Sequence, residues 1–134
     1  VDYMRGLCLY HLGRYEEAIH SLRVHLEKEV EMVGPDYINS LPYIALALSY
    51  HKDGQLTKAD SVLTEGIRYN DSSSELNYFK AINYLKMDLR KEAEIFLDKS
   101  QALFDRGAVN ERPYVEEFFV IYQEDLDKLS NRLD

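Results

Sequence analysis

The stretch Gly13-Arg14-Tyr15-Glu16-Glu17-Ala18-Ile19 occurs again along the chain, and that recurrence limits what the chain can fold into. It returns as Gly54-Gln55-Leu56-Thr57-Lys58-Ala59-Asp60, and more loosely as Asp88-Leu89-Arg90-Lys91-Glu92-Ala93-Glu94. Each copy follows one amphipathic segment and opens another. A helix, a sharp turn and a second helix repeated in this way predict a stack of helix pairs, in which neighbours bury faces that no pair can bury alone.

The segments have helical spacing. Tyr3, Leu7 and Tyr10 share a face of a first helix over about Asp2 to Leu12, which Gly13 ends. Ala18, Ile19, Leu22, Leu26 and Val30 form the stripe of a second, about Tyr15 to Met32, stopped by Gly34-Pro35-Asp36. Ser40 is the expected N-cap of a third, which tolerates Pro42 in its first turn. Its run Tyr43 to Tyr50 is apolar nearly all round, as in helices sandwiched between others. A fourth helix is predicted over Thr57 to Tyr69. Ser72 with Glu75 reads as a capping box opening a fifth. A sixth spans about Arg90 to Phe104, and a last one about Pro113 to Leu133 has no partner in the repeat.

The 134 residues are one domain's worth of chain, 46% hydrophobic and 30% charged, which argues against disorder. A net charge of −8 with no basic window excludes a phosphate-tracking nucleic-acid binder. No apolar run approaches the ~18 residues of a membrane span. The single cysteine makes no internal disulfide, which suits a cytoplasmic setting without establishing one. There is no initiator Met, and Val1-Asp2-Tyr3-Met4 already reads as helix interior. The sequence is therefore expected to be a piece of a longer polypeptide.

The register points to a family. The spacing is 41 residues from Ala18 to Ala59 and 34 from Ala59 to Ala93; the second is the period of the tetratricopeptide repeat. The middle copy, with Tyr43, Leu46, Ala47, Tyr50, Ala59 and Leu63, resembles that family closely. The first keeps Gly6, Leu9, Gly13, Tyr15, Ala18 and Leu22 but has Asp2 and Arg5 where large apolar residues are usual. The third keeps Ala81, Tyr84, Ala93 and Leu97 but has Asn77, Lys80 and Arg90. The family's helix-ending proline is replaced by Val30, Asp71 and Asp105. The longer first spacing, with Val33-Gly34-Pro35-Asp36, looks like the extended repeats of kinesin light chain.

The resemblance covers about residues 2 to 105 and implies an all-α, right-handed solenoid of three helix-turn-helix repeats, at about 2–33, 37–70 and 74–105. A C-terminal helix over about 113–133 would cap the stack. The resemblance also implies a groove lined by the first helix of each pair. Its positions here are Tyr3, Leu7, Tyr10 and His11, then Ile44, Leu48, His51 and Lys52, then Tyr78, Ile82, Leu85 and Lys86. Family members that clamp the C-terminal carboxylate of heat-shock chaperones carry Lys, Arg and Asn where this chain has Tyr3, Leu7, Leu48, Tyr78 and Ile82, so that ligand is not expected. An apolar, aromatic groove suits an amphipathic helix or a hydrophobic peptide of a protein partner, with Lys52 and Lys86 meeting acids at the rim. The alternative is that these residues are core, covered by neighbouring repeats or by the last helix.

Catalysis is not expected. There is no Gly-rich phosphate loop, His-Glu-x-x-His, Cys pair or G-x-S-x-G. Cys8 and His11 could supply only half a metal site, and a buried Cys beside a surface His is the plainer reading. His20 and His25 lie about 140° apart around a helix, a poor shared ligand geometry. No cofactor is expected. In the last helix Val115, Phe118, Phe119, Tyr122, Leu126, Leu129 and Leu133 make a long apolar face, opposite an acidic one. Capping is its expected role; a dimer seam or a linker into a further domain are the alternatives.

Overall fold

A computed structural model describes residues 2–109 and 119–134. Among these residues there are seven α-helices and no strands. They run α1 (Asp2–His11), α2 (Tyr15–Val33), α3 (Ser40–Lys52), α4 (Leu56–Tyr69), α5 (Ser74–Lys86), α6 (Arg90–Asp105) and α7 (Gln123–Leu133). Successive helices pack on one another, and α3 also touches α1 and α5. This is the expected solenoid: three antiparallel pairs stacked side by side, with α7 laid along α6.

The turns inside the pairs share one geometry. Gly13 (φ 76°), Gly54 (φ 82°) and Asp88 (φ 61°) each take the left-handed conformation just after a first helix. The amide three residues beyond each helix end then reaches back, as in Arg14 N to Leu9 O at 2.9 Å and Leu89 N to Tyr84 O at 2.9 Å. Small residues set the closeness of the pairs. A Cβ on Gly6 would stand 2.5 Å from Leu22 Cγ, and one on Gly66 would stand 2.9 Å from Tyr43 Cβ. Ala18, Ala59, Ala81 and Ala93 are fully buried beside them.

Several local expectations are corrected. Asn39, not Ser40, caps α3, its side chain accepting from Leu41 N at 2.9 Å; Ser40 is the first helical residue. Ser73, not Ser72, caps α5, accepting from Leu76 N at 3.2 Å. Glu75 is buried and Ser72 turns toward Asp71, so the Ser72–Glu75 box does not form. Val30 is exposed, because α2 runs past the edge of α3. Cys8 is exposed rather than buried.

The last helix is shorter than the sequence suggests. Val120–Tyr122 are not helical and α7 begins at Gln123; the expected part over 113–118 lies outside the described residues. Tyr122 is the N-cap, its amide donating to Asp125 Oδ2 at 2.8 Å. In α7, Leu126, Leu129 and Leu133 face inward and pack with Ala81, Ala93 and Leu97. Gln123, Glu124, Asp127, Lys128, Ser130 and Asn131 face water. Gln123 exchanges amide hydrogen bonds with Gln101 of α6 at 2.8 and 2.9 Å. At the other end of α7, Arg90 donates to the Arg132 and Leu133 carbonyls at 3.3 Å. The helix thus closes the stack with a polar outer surface, the requirement for ending such an array.

Candidate functional site

The first helices α1, α3 and α5 lie side by side, so residues at one register position of each share a face. Of the twelve groove positions, Leu7 and Ile44 are fully buried, and Tyr3, Leu48, Tyr78 and Ile82 are half-buried in the same apolar cluster. Leu85 is half-buried in the neighbouring cluster with α7, which Tyr78 and Ile82 also touch. Tyr10 is half-buried against His11 and Tyr15, with ring centroids 5.6 and 5.7 Å apart. His11, Lys52 and Lys86 are exposed.

The sequence reading is therefore divided by the structure. Six of the residues expected to line a groove, Tyr3, Leu7, Ile44, Leu48, Tyr78 and Ile82, belong to one apolar cluster, and the deepest of them are core. Phe119 and Ile121, from the C-terminal part, belong to the same core cluster. Burial pushes the Tyr78 phenol up to about 12, with Asp125 of α7 adding to the shift and Arg132 opposing it.

His51 sits at the rim. Asn83 gives its amide N–H to Leu56 O at 2.9 Å, which leaves its Oδ1 to accept from His51 Nδ1 at 2.8 Å. Lys86 Nζ donates to the His51 carbonyl at 3.1 Å. Burial holds the imidazole below its usual 6.5; the Asn83 bond opposes this, and Lys86 and Lys52 add to it. The rim is thus basic through lysine, with His51 resisting protonation.

Sequence reasoning missed two polar constellations. Lys80, at the register of Leu46 one repeat earlier, is buried (5% exposed) yet bonds Asp60 Oδ1 at 2.7 Å and Thr64 Oγ1 at 2.5 Å. Its ammonium also lies 5.0 Å from the ring centres of Tyr84 and Phe96. The signal was a lysine at an interior register, with an acid four residues into the preceding helix. Ser74 and Ser100, both fully buried, exchange hydrogen bonds with each other's carbonyls at 2.8 and 2.9 Å and tie α5 to α6. Nothing in the pattern of apolar residues reports such a pair.

Other recesses have mixed polar and apolar linings. One lies among the segments joining the pairs, beside Asn39, Asn70, Ser73 and Glu75; another lies on the free side of α1 and α2, beside Asp2, Arg5 and His20. Among the described residues no three His, Cys, Asp or Glu side chains are grouped to hold a metal. No helix there is long and apolar enough to cross a membrane.

Comparison with known proteins agrees with this architecture. The model of the tetratricopeptide repeat matches residues 3–23. No curated protein sequence matches the chain. Among solved structures, a T3SS complex from Aeromonas hydrophila is similar with a TM-score of 0.71 at 16% identity, over 98% of this chain and 75% of that one. The type III secretion translocator chaperone SycD of Yersinia enterocolitica is similar with a TM-score of 0.68 at 18% identity, over 98% and 82%. SycD with a peptide of the translocator YopD gives 0.68 at 17% identity, over 99% and 92%. With the repeat model matched over part of the first helix pair and three stacked pairs in structure, the chain has a tetratricopeptide-repeat-like fold.

Proposed function

We propose that the chain is a non-catalytic protein-interaction module that receives an apolar segment of a partner along the face formed by α1, α3 and α5. The observation that carries this reading is that Tyr3, Leu48, Tyr78 and Ile82 are half-buried in one apolar cluster while Lys52 and Lys86 on the same helices are exposed. An apolar, aromatic floor with a basic rim favours a peptide or helix that carries apolar side chains and an acid near one end. The likeness in fold to SycD with its YopD peptide supports the same class of partner.

The test is a peptide-display selection on the full chain, followed by binding of the selected peptides to a Leu48→Glu, Ile82→Glu variant of unchanged helicity by circular dichroism. Loss of binding by the folded variant supports the face as the site. Retained binding overturns it.

A second reading is self-association. It is favoured by Met32 (81% exposed), Val33 (50%) and Tyr37 (83%) at the end of α2 and the turn after it. Sedimentation of the wild type beside a Met32→Lys, Tyr37→Lys variant separates the two readings. A dimer lost on substitution supports self-association, and a monomer at all concentrations removes it.

A further inference from the structure

The third repeat departs from the second at a register that the groove positions do not include. Tyr43 and Asn77 are each the fourth residue of their helices, α3 and α5, and are 1% and 3% exposed. Tyr43 lies tight against Gly66 of α4, and burial first, then Glu65, Tyr69 and Glu29, raises its phenol. Its ring therefore reaches the seam between α2 and α4. At the next seam, between α4 and α6, the shorter side chain of Asn77 does not fill that place. A recess of about 380 Å³ lies there, lined by Ile67 of α4, Asn77 of α5, and Phe96, Lys99, Leu103 and Arg106 of α6. Ile67, Phe96 and Leu103 are half-buried. Asn77 Nδ2 donates to Ser73 O at 2.8 Å, while its Oδ1 accepts from no described residue. Lys99, tenth in α6 where α4 has Glu65, is exposed, as is Arg106. Neither has a carboxylate within ion-pair distance among the described residues; Lys99 Nζ lies 4.5 Å from the Phe96 ring centre. Asp71, also in the lining, accepts from Ser72 Oγ at 3.3 Å.

We propose that this recess is a second docking site, which takes an aromatic side chain of a partner protein flanked by acidic residues. The partner's ring occupies the place that Tyr43 fills one repeat earlier, against Ile67, Phe96 and Leu103. Its polar edge meets the open acceptor of Asn77, as a tyrosine hydroxyl or an indole N–H does. The flanking acids pair with Lys99 and Arg106, the two cations of the lining. Charge selects the occupant: the recess is locally basic in a chain of net charge −8, and that net charge opposes docking of a second copy. No lining residue is one of the twelve groove positions, so this site stands or falls apart from the α1–α3–α5 face.

The experiment uses the full chain and a fluorescein-labelled Glu-Glu-Tyr-Glu-Glu peptide, with binding read by anisotropy at low salt. Asn77→Tyr plugs the recess with the side chain that this register already accepts at Tyr43, and Lys99→Glu, Arg106→Glu reverses its charge at two exposed positions. Each variant is expected to bind the peptide at least tenfold more weakly than the wild type. A control peptide with alanine for tyrosine is expected to lose at least as much. No binding by the wild type up to about 1 mM peptide overturns the proposal, as does equal binding of the two peptides, which would be charge attraction alone. Should Asn77→Tyr not fold, the charge-reversed variant and the alanine peptide decide. A Lys52→Glu, Lys86→Glu variant is expected to bind like the wild type. If that variant loses the peptide while the Lys99, Arg106 variant keeps it, the peptide uses the α1–α3–α5 face and the recess falls. Sedimentation tests the other occupant: a wild-type dimer that Asn77→Tyr makes monomeric would give the recess to a second copy and overturn a separate partner.

Discussion

Lys80 of α5 and Asp60 of α4 form an ion pair at 2.7 Å, with the lysine side chain 6% exposed and the aspartate 27%. The pair joins the second and third repeats across a contact that Leu46, at the same register, makes with apolar packing (3% exposed). Breaking a buried pair from one side leaves an uncompensated charge. Asp60→Ala strands the buried ammonium and is expected to destabilise by about 3 kcal/mol. Lys80→Met removes the buried charge and leaves Asp60 with access to water, so its expected cost is about 1 kcal/mol. Urea unfolding of the two variants measures the asymmetry; equal losses would contradict it.

Gly6 carries the tightest approach in the first repeat, a Cβ there falling 2.5 and 2.6 Å from Leu22 Cγ and Cδ2. Overpacking of this kind costs about 1–3 kcal/mol, so Gly6→Ala is expected to lower stability by that amount. Leu22→Ala alone opens a cavity worth about 2–5 kcal/mol. The double variant should be more stable than the two losses predict, because the added methyl enters the vacated space. A double-mutant cycle by denaturant unfolding reads the coupling, and strict additivity would refute it.

The depressed His51 links stability to acid. Folding favours its neutral form, so the unfolded state binds the extra proton first as pH falls through 6.5. The stabilisation is fully present above that value and is lost progressively below it, down to the lower folded value. His51→Gln, which keeps a donor for Asn83, is expected to flatten the fall in stability between about pH 7 and pH 5. Urea midpoints across that range check it, and an unchanged slope would assign the acid sensitivity elsewhere.

The Tyr78 phenol, raised to about 12 by burial first and by Asp125 second, reports on α7. Leu129→Asp should lift α7 from α6, since Leu129 is 2% exposed in the cluster that Tyr78 touches. Ultraviolet titration is expected to show one tyrosine, absent in a Tyr78→Phe control, moving down toward 10. If its titration does not move, α7 does not set the burial of Tyr78.

Much of this fold was legible because helices announce themselves by period, and glycines at 13 and 54 mark where a pair must turn. Caps slipped by one residue at Asn39 and Ser73, because adjacent Asn and Ser residues offer equivalent oxygens and only the backbone angles choose between them. The groove positions followed from register alone, and six of the twelve fall in one apolar cluster, but register cannot say how deep each lies. The expected face through Phe119 and Tyr122 has spacing that fits a helix, while the structure buries Phe119 and Ile121 and leaves Tyr122 exposed just before α7. Ser74 was illegible as core because its burial depends on a partner, Ser100, from another helix, whereas Lys80 announced itself only through its interior register.

Asp88 has one more consequence. In the first two pairs the turn rests on glycine, which adopts left-handed angles freely; in the third it rests on a side-chain-bearing residue at φ 61°, a conformation that costs most residues about 1–2 kcal/mol. The three hairpins therefore do not start equal in the unfolded chain. Within the α5–α6 hairpin the buried Ser74–Ser100 hydrogen bonds stand against that turn strain, joined from outside by the Lys80 clasp to α4 and the packing of α7.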